Sequence, residues 1–213
     1  MDVINYKKLY ALQDKVMDII FSEEDIFYLT GGTCISRFYK EKRYSDDLDF
    51  FTNQNNDFAR VMRKIKAKLQ QSFSIEEIVS SKDFIRLKIN NYLQIDFVND
   101  MVMRYKETVY LENGYKIDNL ENIYANKLTA IISRDNVKDI FDLYLIDKLY
   151  NYDINEILKV SHKKAVYNND DLLIRLKTFP LEFIDSIKLI DLSFLDNFHE
   201  EFKSLISKIE NAM

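Results

Sequence analysis

The segment Leu29–Asn53, LTGGTCISRFYKEKRYSDDLDFFTN, constrains this chain more than any other. A short apolar run, IFYLT (26–30), ends at the pair Gly31-Gly32. The chain carries only three glycines and one proline in 213 residues, so its glycines should stand where the backbone has no alternative. The pair therefore predicts a tight turn from a strand into a helix. TCISRFYKE (33–41) reads as that helix, with Ile35, Phe38 and Tyr39 on its buried side. DLDFF (47–51) reads as a strand, with Leu48 and Phe50 on one face and Asp47 and Asp49 on the other.

The remaining pattern divides the chain in two. Leu9, Leu12, Val16, Ile19 and Ile20 fall at helical spacing within 6–21. Residues 57–71 form a second amphipathic helix, with Phe58, Val61, Met62, Ile65 and Leu69 as its apolar stripe. FSIEEIV (73–79), FIRLKIN (84–90) and YLQIDFV (92–98) read as strands. Asn90-Asn91 makes a hairpin turn between the last two, and TVYLENGYKI (108–117) folds back around Gly114. After Leu120 the periodicity is helical: 121–133, 136–150, 153–165, 170–178 and 194–211. The expectation is an α/β (α+β) protein, a mixed sheet with flanking helices followed by a helical C-terminal half. The expected boundaries are 1–118 and 119–213, the second part contributing to the active-site cleft.

Several classes are disfavoured. The net charge of −5 leaves any nucleic-acid contact to local patches, such as the basic side of helix 57–71 or HKKAVY (162–167). A solvated helix face is the plainer reading of the first, and the second is just as ambiguous. One cysteine, Cys34, and two distant histidines make neither a disulfide framework nor a Cys/His zinc site, and fit a reducing cytoplasm. The opening stretch MDVINYKKLYALQDKV is charged and periodic, unlike a signal peptide. No apolar run approaches the ~18 residues of a membrane span.

The chemistry sits in the opening segment. Glycine admits a ligand close to the backbone, and the first turn of a helix presents unpaired N–H groups with partial positive charge. Gly31, Gly32 and Thr33 are thus a candidate phosphate cradle. Asp47 and Asp49, two apart on a strand, repel unless a cation lies between them. Hard oxygen ligands of this kind suit Mg²⁺ or Mn²⁺ accompanied by substrate phosphates. Asp96, mid-strand between Ile95 and Phe97, needs a partner. It either completes a three-aspartate metal site or pairs with Arg86 or Lys88. Asp46 points the other way by strand alternation and stays outside the site.

These residues resemble the nucleotidyltransferase signature of the DNA polymerase β-type superfamily, Gly-Gly followed by Asp-x-Asp. GGT…SRFY…RYSDDLDFF resembles one branch more closely, the AbiEii/AbiGii toxin-like nucleotidyltransferases. ANKLTAIISRDNVKDIFDLYLI (125–146) is similar to a second motif of that branch. The resemblance covers roughly residues 25–150. It implies transfer of a nucleotide from a nucleoside triphosphate (NTP) to an acceptor hydroxyl, with Asp47, Asp49 and Asp96 as metal ligands. Lys127 would offset triphosphate charge, and Asp96 or Asp142 would serve as base. Arg43 and Ser45 fit the run before the acids and are expected near phosphate, with an ion pair or turn as the plainer alternative. Arg134 and Asp139 are read equally well as an interhelix ion-pair cluster. The resemblance also implies a bacterial toxin with a cognate antitoxin and an RNA acceptor such as tRNA. A catalytically silent module of the same fold and a metal-dependent nuclease are the rival expectations.

Overall fold

The structure, a computed structural model, describes residues 4–213; Met1, Asp2 and Val3 of the opening stretch lie outside it. The chain forms two compact units. The first takes in residues up to Phe38, Ser45–Val102 and Glu107–Asp118. The second comprises Tyr39–Tyr44, Met103–Lys106 and Asn119–Met213.

The first unit is a mixed seven-stranded sheet. Its strands are β1 (Tyr28–Thr30), β2 (Leu48–Asn53), β3 (Ile75–Ser80), β4 (Phe84–Ile89), β5 (Leu93–Asp100), β6 (Val109–Tyr110) and β7 (Lys116–Ile117). They lie in the order β3-β4-β5-β2-β1-β7-β6. β2 runs antiparallel to β1 and parallel to β5, and β5 runs antiparallel to β4. Helices α1 (Tyr6–Glu23) and α3 (Phe58–Gln70) pack on one face of this sheet. Strict alternation in β2 sends Leu48 and Phe50 into that core. There Phe50 stacks on Phe97 at 5.4 Å, and Phe27 meets Phe97 edge-on at 5.2 Å. Each fully buried ring of this kind stabilises the fold by about 1.5–3 kcal/mol through area removed from water. The same alternation turns Asp49 to the opposite face.

The helix after the glycines begins earlier than its pattern suggests. α2 (Gly31–Cys34) starts at the glycine pair and continues as a π-helical turn, Ile35–Tyr39. Thr33 therefore lies inside the helix and does not cap it. Basic residues of α3 are largely committed to acids: Arg60 to Asp57, Lys64 to Glu24, Lys66 to Glu77 and Lys68 to Glu23. That is the solvated face of an amphipathic helix.

The second unit contains α4 (Leu120–Ser133), α5 (Val137–Leu149), α6 (Ile154–Lys164), α7 (Asn169–Thr178) and α8 (Phe198–Asn211). α4 packs against α5, α6 and α7. The segment 39–44 is stitched to this unit by backbone bonds, Tyr44 N–H to Lys188 C=O and Ile190 N–H to Lys42 C=O, each 2.9 Å. Asparagine supplies the punctuation that glycine does not. Asn119, Asn136 and Asn168 cap α4, α5 and α7 through their side chains. Asn90 and Asn91 take φ of 51° and 53° in the β4–β5 turn, the left-handed pair that a two-residue hairpin needs. Among the described residues, no helix is long and apolar enough to cross a membrane.

Candidate active site

Four strands line up one polar row on the sheet face away from α1 and α3. Thr30 of β1 is the register partner of Asp49 of β2. Asp49 is the partner of Asp96 of β5, and Asp96 the partner of Arg86 of β4. Lateral partners on neighbouring strands, about 4.8 Å apart, point to the same side of a sheet. Thr30, Asp49, Asp96 and Arg86 therefore stand side by side. The Thr30 hydroxyl donates to the Asp118 carboxylate at 2.7 Å, in a fully buried contact at the end of the row.

The glycine turn closes onto this row. Gly31 has φ +73°, a left-handed conformation that disfavours any side chain. A Cβ at Gly31 would stand 2.4 Å from Asp49 Oδ2. The backbone and the carboxylate thus approach as closely as they can, and only glycine permits it. Thr33 is fully buried; its hydroxyl donates to the Asp47 carbonyl and shares a 2.8 Å hydrogen bond with the Ser45 hydroxyl. Ser45 is in turn held through its backbone by Tyr10 and Gln13. Thr33 and Ser45, expected to face phosphate, instead clasp the helix to the start of β2 with their side chains. Asp46 accepts from the Tyr6 hydroxyl at 2.8 Å, which keeps it apart from Asp47 and Asp49.

Arg86 is the cation of this cluster. Its guanidinium meets Asp96 in two-point fashion, Nε to Oδ1 at 2.8 Å and Nη2 to Oδ2 at 2.6 Å. The Asp96 hydrogen bond holds the Arg86 pKa above its ordinary value against the opposing effect of burial, and the charges of Asp96, Asp49 and Asp47 add to the rise. Three carboxylates thus act on one positive centre. Among the described residues, no three His, Cys, Asp or Glu side chains are gathered to hold a metal ion as they stand, because Asp96 is turned to Arg86. The donor set nevertheless fits a hard divalent cation. It consists of carboxylates alone, with Asp49 and Asp96 in lateral register and a glycine backbone that comes close to Asp49 without a side chain. Asp47, Asp49 and Asp96 are the residues that would hold it.

Cys34 begins no nucleophilic chemistry: it is buried, and burial pushes its thiol well above the ordinary range.

The second unit has its own charged cluster. Arg43 gives Nε and Nη2 to the two oxygens of Asp142, both at 2.8 Å. Lys127 bridges Asp142 at 2.6 Å and Asp139 at 2.7 Å, and Arg134 pairs with Asp139 at 2.6 Å. Asp142, Asp139, Lys127 and Arg43 are all buried. Burial alone would lower the Lys127 pKa, but the charges of Asp142 and Asp139 outweigh it and hold the ammonium protonated. Burial likewise opposes ionisation of Asp142, yet Arg43 and Lys127 hold its pKa down to about 2. A carboxylate so stabilised is a weak proton acceptor at neutral pH. Arg43, expected near phosphate, is thus spent on an interhelix lock together with Lys127 and Asp142.

The family model described as "Nucleotidyl transferase AbiEii toxin, Type IV TA system" matches residues 18–211. The chain belongs to this family. It is a nucleotidyltransferase of the AbiEii toxin family, with the mixed sheet and helices expected of it. An uncharacterized protein of Aquifex aeolicus (strain VF5) is 29% identical over 159 residues, covering 71% of each chain. The crystal structure of JHP933 from Helicobacter pylori superposes with a TM-score of 0.58 at 19% identity, covering 100% of this chain and 93% of that one. At that identity the likeness speaks for the fold.

Sequence reasoning left Arg86 outside the site, as one alternative partner for Asp96. Its signal was present: alternation in FIRLKIN puts Arg86 and Lys88 opposite Ile85, Leu87 and Ile89. What the pattern lacks is register, which alone makes Arg86 and not Lys88 the lateral neighbour of Asp96.

Proposed function

We propose that this nucleotidyltransferase moves a nucleotide from an NTP to an acceptor hydroxyl on RNA, with tRNA the first acceptor to test, in a reaction dependent on Mg²⁺ or Mn²⁺. The observation that carries the reading is the Asp49–Asp96 lateral pair beside a glycine turn that has no room for a Cβ. The Gly31-Gly32 backbone receives the β- and γ-phosphates, because unpaired N–H groups at a helix start suit an anion. Asp47 and Asp49 hold the metal, and Asp96 is the third ligand. When bound, a divalent cation there would neutralise phosphate charge and ease ionisation of the acceptor hydroxyl. The acceptor oxygen forms a bond to the α-phosphorus while the bond from that phosphorus to the pyrophosphate oxygen breaks. The hydroxyl proton passes to Asp96, for which the environment of Asp142 is the less suitable alternative. A cognate antitoxin is the proposed protein partner.

The test is incubation of the full chain with α-labelled NTPs, Mg²⁺ or Mn²⁺, and total RNA or cell protein. Label should pass to RNA and disappear with Asp47→Asn or Asp49→Asn. Triphosphate binding without transfer would support a silent module, and metal-dependent RNA cleavage without NTP would support a nuclease. Label on protein would replace RNA as the acceptor.

A further inference from the structure

Arg86 stands where a metal-binding cluster of carboxylates would be expected to show only acids. It binds both oxygens of Asp96, at 2.8 and 2.6 Å. It sits in register with Asp96, which is in register with Asp49. Asp49 and Asp96 stand in lateral register beside this one guanidinium, with Asp47 two residues before Asp49. Carboxylates placed laterally on adjacent strands repel, so a metal-free site of this design needs an internal cation to keep its shape.

The pair is open to solvent on the Arg86 side. Arg86 is about a third exposed (35%), while Asp96 is nearly enclosed (12%), so the guanidinium can leave while the carboxylate stays. Phe84, two residues earlier and on the same strand face, lies with its ring centroid 5.5 Å from the Arg86 guanidinium carbon. The ring flanks the guanidinium while the pair is intact, and that contact does not depend on the carboxylate.

We infer that Arg86 is the resident counterion of the aspartate row, pairing with Asp96 in the metal-free enzyme and ceding it to an entering divalent cation. The inference rests on the proposed role of Asp47, Asp49 and Asp96 as metal ligands. Arg86 is thus a positioning residue. It holds Asp96 in a fixed two-point geometry on the β4 side and competes with the metal for the third ligand. The consequence is a site that binds free metal weakly, because its third ligand has first to be released from Arg86.

The experiment is a titration of the full-length protein with Mn²⁺, followed by loss of the free-ion electron paramagnetic resonance signal, without nucleotide or acceptor. Melting temperatures with and without Mn²⁺ give a second readout. Arg86→Gln should bind Mn²⁺ roughly tenfold more tightly than wild type, since the competing charge-assisted pair is gone. Its metal-free melting temperature should fall, and Mn²⁺ should raise it by more than in wild type. In an Asp96→Asn background, Arg86→Gln should leave Mn²⁺ affinity unchanged, because the contested ligand is absent. If Arg86→Gln does not fold, Arg86→Lys serves instead. It keeps one charge without the fork and should tighten Mn²⁺ by a smaller factor. Wild-type binding that Arg86→Gln or Arg86→Lys leaves unchanged overturns the inference and makes the pair merely structural. Binding insensitive to Asp47→Asn and Asp49→Asn overturns the metal reading itself, and this inference with it.

Discussion

Two charged clusters, one in each unit, are built from the same residue types and do opposite things. In the sheet unit, acids outnumber cations. Asp47 and Asp49 are half-buried, Asp96 is in a two-point ion pair with Arg86, and the Gly31 backbone comes close against Asp49. In the helical unit, Arg43, Lys127 and Arg134 outnumber Asp139 and Asp142, and four of these five are enclosed. The contrast separates a row with an excess of acids from a cluster with an excess of cations. A buried carboxylate with two cations on it is held by them. Carboxylates in lateral register repel one another.

The largest expected effect breaks the comparison most directly. Asp49→Asn should lower nucleotidyl transfer roughly a thousandfold, the scale of losing a principal electrostatic element of a transition state. Its urea unfolding midpoint should stay near wild type, because the change removes repulsion from the row. Asp142→Ala should do the reverse for stability. Stranding the buried Arg43, and leaving Lys127 with Asp139 alone, should cost about 3–5 kcal/mol by urea denaturation. If Asp142→Ala leaves stability intact, the helical cluster is not a lock.

Gly31→Ala comes next. It forces a side chain into left-handed backbone and into Asp49, so about 1–3 kcal/mol of strain is expected. The strain falls on the site, so transfer should drop by a larger factor than that of any distant alanine change of equal stability loss. A kinetic assay alongside thermal melting separates the two. The smallest effect is the acid limb of stability. Asp142 ionises at about 2 in the folded chain, below the ~3.9 of an unfolded aspartate. The unfolded state therefore takes up the proton first as pH falls. The stabilisation is complete above about pH 4, fades between about 4 and 2, and amounts to ~2 kcal/mol from this group. Urea midpoints at pH 5 and pH 3 check it, and the slope should flatten in Asp142→Asn.

Much of the sheet unit was legible in the chain. Alternation in DLDFF sorts Asp49 from Leu48 and Phe50, and Gly31 stands where its backbone leaves no alternative. The Asn90-Asn91 turn and the helices after Leu120 also follow from local chemistry. Other features depend on distant residues. Arg43 and Asp142 lie 99 positions apart, and no local pattern says that one will consume the other. Thr33 looked free to meet phosphate because its hydroxyl partner, the carbonyl of Asp47, is supplied by another element. α2 starts at Gly31, two residues before the pattern puts it, because a glycine that opens a helix and a glycine that precedes one look alike in sequence.

By itself, the sequence determined which residues could carry chemistry: a glycine pair, two aspartates spaced for one strand face, and a third aspartate that needed a partner. Periodicity and scarcity suffice for that, because they act over a few residues. Which of them meet depends on strand register. Parallel register between β2 and β5 puts Asp49 beside Asp96, and antiparallel register between β4 and β5 gives Asp96 to Arg86. Register is set by how whole strands bury their apolar faces, and a shift of one residue would have turned Arg86 into the core.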